Sequence, residues 1–317
     1  MRNKFKKILL LNLKETLNPS YLSRLNKIAE TISFLPKDSS DIYTELKEAD
    51  CLLVNQGMTV DKKIIDSAPN LKYVGICATG YGRVDTKYAN SKGIAICNVP
   101  GYATESVAEF VFAMLLEYLR EIERAKKQIA KSIYSEVTFT GTQIKDKVFG
   151  VIGLGRIGQR VAEIASQGFK AKTIYWSRNK KEQAEQSSIF HKSLEKLLKE
   201  SDIISFHLSL NSKTEKIINK KLINSIKPGA IVINTAPMEL FDLKALETRL
   251  KRRDMTFILD HSDEMTPEDI KKLKKYKNCI IYPPIGFTTK EATALKKEIF
   301  VSNIENFLKG ILVNKVN

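Results

Sequence analysis

Short apolar runs of strand length recur along this chain, and amphipathic stretches separate them. No other feature restricts the possible folds as much. The first series is "KILLLNL", "CLLVNQ", "LKYVGIC" and "IAICNV", with helical patterns beginning near Ser20, Asp61 and Asp85. The second is "KVFGVIGL", "KTIYWSR", "DIISFHL", "AIVINTA", "MTFILD" and "CIIYPPI". Strand and helix patterns in regular alternation predict an α/β chain with mostly parallel sheets. The two series predict two doubly wound domains, and 317 residues suffice for both.

Between the series lies "TESVAEFVFAMLLEYLRE". Val107, Phe110, Val111, Met114, Leu115 and Tyr118 recur at helical spacing, with Thr104 as the expected N-cap. Phe112 and Leu116 fall off that stripe, so the helix is apolar on more than one face. A last helix, "KEATALKKEIFVSNIENFLKGIL", closes the chain.

Composition removes several classes of function. No apolar run approaches the ~18–20 residues a membrane helix needs. The basic start "MRNKFKKILLLNLKE" reads as a first strand, because the apolar run Ile8–Leu11 is too short for a signal peptide. Cys51, Cys77, Cys97 and Cys279 lie far apart in strand-like runs, the pattern of buried free thiols in a reducing cytoplasm. His191, His207 and His261 are scattered, which gives a metal site no support. The net charge of +16 is mostly lysine spread along the chain and mixed with carboxylates. That pattern reads as a solvated surface rather than a nucleic-acid site.

The clearest chemical signal is Gly153-Leu154-Gly155-Arg156-Ile157-Gly158, which follows a strand and opens a helix. The first glycine permits the turn, the second lets backbone approach a pyrophosphate, and the third lets helix pack on strand. The helix N-terminus offers free N–H groups to that anion. The next strand ends in Ser177, 19 positions after Gly158, followed by Arg178, Asn179, Lys180 and Lys181. No carboxylate stands there to hold a ribose 2′-hydroxyl or repel a 2′-phosphate, so NADP(H) is expected in preference to NAD(H).

These segments resemble the D-isomer-specific 2-hydroxyacid dehydrogenase family over nearly the whole chain. "LKYVGICATGYGRVD", "NVPGYATESVAEFVFAMLLEYLR", "GVIGLGRIGQRVA", "IISFHLSLNSKTEKIIN" and "IKPGAIVINTA" carry the resemblance. It implies a Rossmann cofactor domain, residues 101–287, inserted in a flavodoxin-like substrate domain made of 1–100 and 288–317. It also implies a homodimer, hinge closure and hydride transfer between a nicotinamide and C2 of a small 2-keto or 2-hydroxy acid.

The resemblance assigns cofactor contacts to Thr104, His207, Asn234, Thr235, Ala236 and Asp260. Backbone N–H groups around Ala78, Thr79 and Gly80 fall to the substrate carboxylate, and Arg83, Tyr81 and Tyr102 lie on substrate-side loops. Three side chains should do the chemistry, and two of them are gone. Pro237 stands where the family places its arginine, followed by Met238 instead of glycine, and Pro284 stands where it places its histidine. Asp263 or Glu264 falls near the expected glutamate.

Three functions follow. The first is an NADP(H) oxidoreductase with an altered active site and a non-standard substrate. Its proton donor would be Tyr282 or His261, with Tyr282 preferred because strand alternation turns His261 away from Asp260. The second is a non-catalytic dinucleotide sensor or partner subunit, and the third an ordinary 2-hydroxyacid dehydrogenase.

Overall fold

The computed structural model describes residues 4–260 and 265–317. The chain divides into two compact units, Met1–Tyr102 with Thr289–Asn317, and Ala103–Thr288.

The first unit is a five-stranded parallel sheet of β1 (Phe5–Leu11), β2 (Ala29–Leu35), β3 (Cys51–Asn55), β4 (Tyr73–Cys77) and β5 (Ala95–Cys97), in the order β2-β1-β3-β4-β5. This is the flavodoxin-like order. β1, β3, β4 and β5 are almost wholly buried, as continuous apolar runs require in a sheet covered on both faces. β2 is the exception: an edge strand, largely uncovered, whose sequence AETISFL carries no clean alternation. Asn18, Asp61 and Asp85 each accept a backbone N–H at the start of the helix that follows them. The helix Lys290–Leu308 is capped in the same way by Thr289 and packs on β4. Phe307 from this helix stacks on Phe5 and lies against Tyr73.

The second unit is a seven-stranded parallel sheet of β6 (Val148–Ile152), β7 (Lys172–Trp176), β8 (Phe190–His191), β9 (Ile203–Phe206), β10 (Ile231–Asn234), β11 (Thr256–Leu259) and β12 (Cys279–Ile281). Its order is β12-β11-β10-β9-β6-β7-β8, which is the Rossmann order with one further strand. Alternate residues enter opposite cores. Val232, Phe257 and Leu259 pack on one face, and Ile233 and Ile258 on the other.

The helix Thr104–Leu119 lies on the second of these faces, where Phe112 packs against Phe149 and Phe169. Ala103 takes the cap position, so Thr104 is the first helical residue and not the N-cap. All four cysteines are buried free thiols. No helix among the described residues is long and apolar enough to cross a membrane.

Candidate active site

The glycine fingerprint forms the turn between β6 and the helix Arg156–Glu163. Gly153 has φ +97°, and a Cβ there would lie 2.6 Å from the carbonyl oxygen of His207. A Cβ on Gly158 would lie 1.9 Å from the Gly153 carbonyl oxygen. Both positions are closed to larger residues by the protein itself.

Gly155 differs. A Cβ there meets nothing within 4 Å, and the space opens in front of the helix start, where no side chain caps the N–H groups. Open room before an uncapped helix N-terminus fits a phosphate. Arg156 is exposed at this end, and Ile157 packs into the core beneath it.

A cleft of about 430 Å³ runs from this turn to the end of β7. Gly153, Gly155, Ser177, Arg178 and His207 all line it. Ser177 donates its hydroxyl to the Asn179 carbonyl at 2.5 Å, which shapes the loop, and Arg178 is exposed at the rim. The Lys180 ammonium pairs with Glu185 at 2.7 Å, and Lys181 lines the cleft.

Lys213 also lines the cleft, and sequence reasoning missed it. It sits on a loop stapled by Thr214, whose hydroxyl donates to the Ser209 carbonyl at 2.7 Å and accepts from the Asn211 N–H at 2.8 Å. The turn-forming run Asn211-Ser212-Lys213-Thr214 was the available signal.

His207 follows β9. Its Nε2 lies 2.8 Å from the Ser205 hydroxyl and its Nδ1 3.4 Å from the Thr235 hydroxyl. Burial pushes its pKa down to about 3, so the ring is neutral at neutral pH.

Asn234 ends β10. Its fully buried amide donates to the Ala236 carbonyl at 2.7 Å and accepts the Ala236 N–H at 3.2 Å. These bonds hold the turn that delivers Pro237. Pro237 is half-buried and leads into the short helix Met238–Leu240, whose Met238 and Leu240 enter the core.

Asp260, after β11, is 3% exposed, and its Oδ2 accepts the Gly286 N–H at 3.1 Å. The Gly286 carbonyl accepts the Ser106 hydroxyl at 2.9 Å, so this segment is fixed to the first turn of the helix Thr104–Leu119. Pro284 lies in a tight turn closed by Ile285 N–H to the Pro283 carbonyl at 2.8 Å.

Tyr282 follows β12. Its hydroxyl donates to Glu117, its ring meets Phe110 edge-on at 6.0 Å, and burial beside that carboxylate raises its pKa well above the ordinary value. Glu117 is 13 residues beyond Thr104, ~20 Å along the helix. The bonded partner of the hydroxyl thus lies far along the helix from its start, where Ser106 and Gly286 meet. His261, Asp263 and Glu264 lie outside the described residues.

In the first unit, Ala78, Thr79 and Gly80 follow β4. Val99 N–H donates to the Ala78 carbonyl at 2.9 Å, Asn98 to the Thr79 carbonyl at 2.7 Å, and the Thr79 hydroxyl to the Val99 carbonyl at 2.8 Å. The carbonyls are thus turned toward the segment after β5. The N–H groups of Thr79, Gly80 and Tyr81 find no acceptor among the described residues, which fits a carboxylate. Arg83 and Tyr81 are exposed nearby in sequence, and Tyr102 is buried.

Residues 112–286 match the family model described as "D-isomer specific 2-hydroxyacid dehydrogenase, NAD binding domain". A glyoxylate reductase from Thermococcus litoralis is 36% identical over 285 residues, 87% of this chain and 86% of that protein. A D-lactate dehydrogenase from Aquifex aeolicus, complexed with NAD and lactic acid, is 27% identical with a TM-score of 0.85, over 96% of both chains. An acyclic imino acid reductase complexed with NADPH and D-Arg is 28% identical with a TM-score of 0.86, over 98% of this chain and 100% of that one. The glycine turn, the uncapped helix start and these likenesses agree: the chain belongs to the D-isomer-specific 2-hydroxyacid dehydrogenase family of oxidoreductases, and its cofactor is a nicotinamide dinucleotide.

Proposed function

We propose that the protein is an NADPH-preferring reductase that acts on the C=N bond of 2-imino acids rather than the C=O bond of 2-keto acids. The observation that carries this reading is the pair Pro237 and Pro284, at the places where the resemblance puts an arginine and a histidine. Reduction of a ketone builds negative charge on oxygen, which a cation must stabilise and an acid must protonate. A protonated imine starts positive and becomes a neutral amine, so it needs neither group. The two missing side chains are those that only the ketone requires. The likeness to an imino acid reductase complexed with NADPH supports the same reading.

The chain's own residues have the following roles. The N–H groups at the start of the helix Arg156–Glu163 hold the pyrophosphate, with Gly155 giving it room. Arg178, with Lys181 and Lys213 on the same cleft, binds the 2′-phosphate. Neutral His207, fixed by Ser205 and Thr235, lines the cleft without adding charge. Thr104, Thr235, Ala236 and Asp260 serve the nicotinamide end, and Asn234 shapes their turn. The loop Ala78–Gly80 receives the substrate carboxylate. Bound NADPH supplies the hydride from C4 of its nicotinamide, and the substrate nitrogen keeps the proton it brought.

We also infer a homodimer. Ile133, Tyr134 and Val137 are 49%, 81% and 83% exposed on one short segment, and Ile129 before it is 53% exposed. Apolar side chains so close together on a surface mark an interface.

Fluorescence titration with both cofactors tests the preference. NADPH is expected to bind roughly 10- to 100-fold more tightly than NADH, from one charge-assisted hydrogen bond of ~1.5–3 kcal/mol. Arg178→Ala should remove most of that margin and leave NADH unaffected. Equal affinities in the native protein would refute it. A panel of keto acids with and without an amine tests the reaction, and turnover of neither would favour the non-catalytic sensor.

A further inference from the structure

We propose that Tyr175 is a positioning residue, whose buried hydroxyl aims Lys181 at the 2′-phosphate of the cofactor and so strengthens the preference for NADPH over NADH. The proposal rests on the NADPH reading of the cleft. It is independent of whether the substrate carries C=N or C=O.

Tyr175 lies on β7, is fully buried and does not line the cleft. A buried phenol needs a partner for its hydroxyl. Here both bonds go to one residue. The Tyr175 hydroxyl accepts the Lys181 N–H at 2.7 Å and donates to the Lys181 carbonyl at 3.3 Å. Lys181 is six residues further along the chain, so these bonds close the whole loop 177–181 onto the strand it leaves.

The ring is fixed in turn. It meets His191 of β8 edge-on at 5.2 Å, and the two residues are register partners in the sheet. The His191 Nε2 lies 3.4 Å from the Ser177 carbonyl, and the Ser177 hydroxyl holds the Asn179 carbonyl. The loop is thus tied at Ser177, Asn179 and Lys181.

Its cations differ in consequence. Lys180 is drawn to Glu185 at 2.7 Å. Arg178 stands exposed at the rim. Lys181 lines the cleft, and its backbone is held at both the N–H and the carbonyl. It also begins the helix Glu182–Gln186, where its carbonyl accepts the Ala184 N–H at 3.1 Å and no side chain caps the turn.

A lysine is a point charge on a flexible stem. On a loose loop, its attraction to a phosphate is offset by the entropy of ordering backbone and side chain together. With the backbone already fixed, only the side chain remains to be ordered. The Tyr175 hydroxyl therefore acts on the cofactor through Lys181 and not by contact.

The test is fluorescence titration of the native protein, Tyr175→Phe, Lys181→Met and the double variant with NADPH and with NADH, which differ only in the 2′-phosphate. Phenylalanine keeps the ring and its contact with His191 and releases only Lys181. Each single variant should lower the NADPH-to-NADH affinity ratio roughly fivefold or more and leave NADH within about twofold. The double variant should fall no more than about twofold below Lys181→Met, because one residue acts through the other. A Tyr175→Phe protein that melts earlier in urea but keeps the native ratio overturns the proposal, as does a double variant whose losses multiply. Amide hydrogen exchange at Lys181 in the native protein needs no variant. Slow exchange is expected, and exchange at the rate of an unstructured peptide overturns the proposal even if Tyr175→Phe does not fold. Equal affinities in the native protein reject the NADPH reading itself, whereas a native preference that survives Tyr175→Phe rejects only the role of Tyr175.

Discussion

Gly155 and Gly158 are three residues apart, yet a methyl group meets different things at each. At Gly158 it would overlap the Gly153 carbonyl, and at Gly155 it would enter open space. Gly158→Ala should therefore lower the unfolding free energy by several kcal/mol. Gly155→Ala should leave stability within ~0.5 kcal/mol and still weaken NADPH at least tenfold. Urea melts and fluorescence titration of the two variants check this, and equal effects on stability would contradict it.

His207 gives a second residue-scale expectation. An unfolded chain protonates this ring near pH ~6.5, whereas the folded protein holds it neutral down to about 3. Between those values the unfolded state binds more protons, so stability falls as pH drops below about 6.5. The loss should reach a few kcal/mol by about pH 4, and His207→Gln should flatten that part of the profile. Identical slopes in the two proteins from pH 6.5 to 4 would count against a buried neutral ring.

At the scale of elements, the helix Thr104–Leu119 is tied to the β11–β12 edge of its sheet. Tyr282 bonds Glu117, and the Tyr118 and Thr256 hydroxyls lie 2.7 Å apart. Tyr282→Phe should cost about 1–2 kcal/mol of stability and leave NADPH affinity within twofold. A tenfold loss of turnover with stability unchanged would place Tyr282 in the chemistry.

Sequence reading succeeded where one local pattern sufficed. Buried parallel strands such as Cys51–Asn55 and Ile231–Asn234 are apolar throughout, and the glycine turn has a fixed spacing. Edges and side-chain directions left less in the sequence. β2 and the two-residue β8 bury too little to leave a pattern. The aim of Tyr282, the partner of Lys180 and the approach of Lys213 to the cleft depend on neighbours far along the chain or on loop geometry.

At the scale of the whole molecule, one unit offers a dinucleotide cleft and the other a strand end whose N–H groups find no acceptor among the described residues. The segment bearing Tyr134 and Val137 is the expected dimer contact. Light scattering should give twice the mass of one chain, and Tyr134→Glu with Val137→Lys should halve it. A native protein that stays monomeric at micromolar concentration would remove this interface.

The central claim is that this family member has exchanged C=O for C=N. The most direct measurement is transfer of deuterium from C4-deuterated NADPH to pyruvate, with and without methylamine, followed by mass spectrometry. The expected product is deuterated N-methylalanine, formed at least 100-fold faster than deuterated lactate. Lactate formed without amine at ~10 s⁻¹, the ordinary rate of an enzyme, would contradict the account.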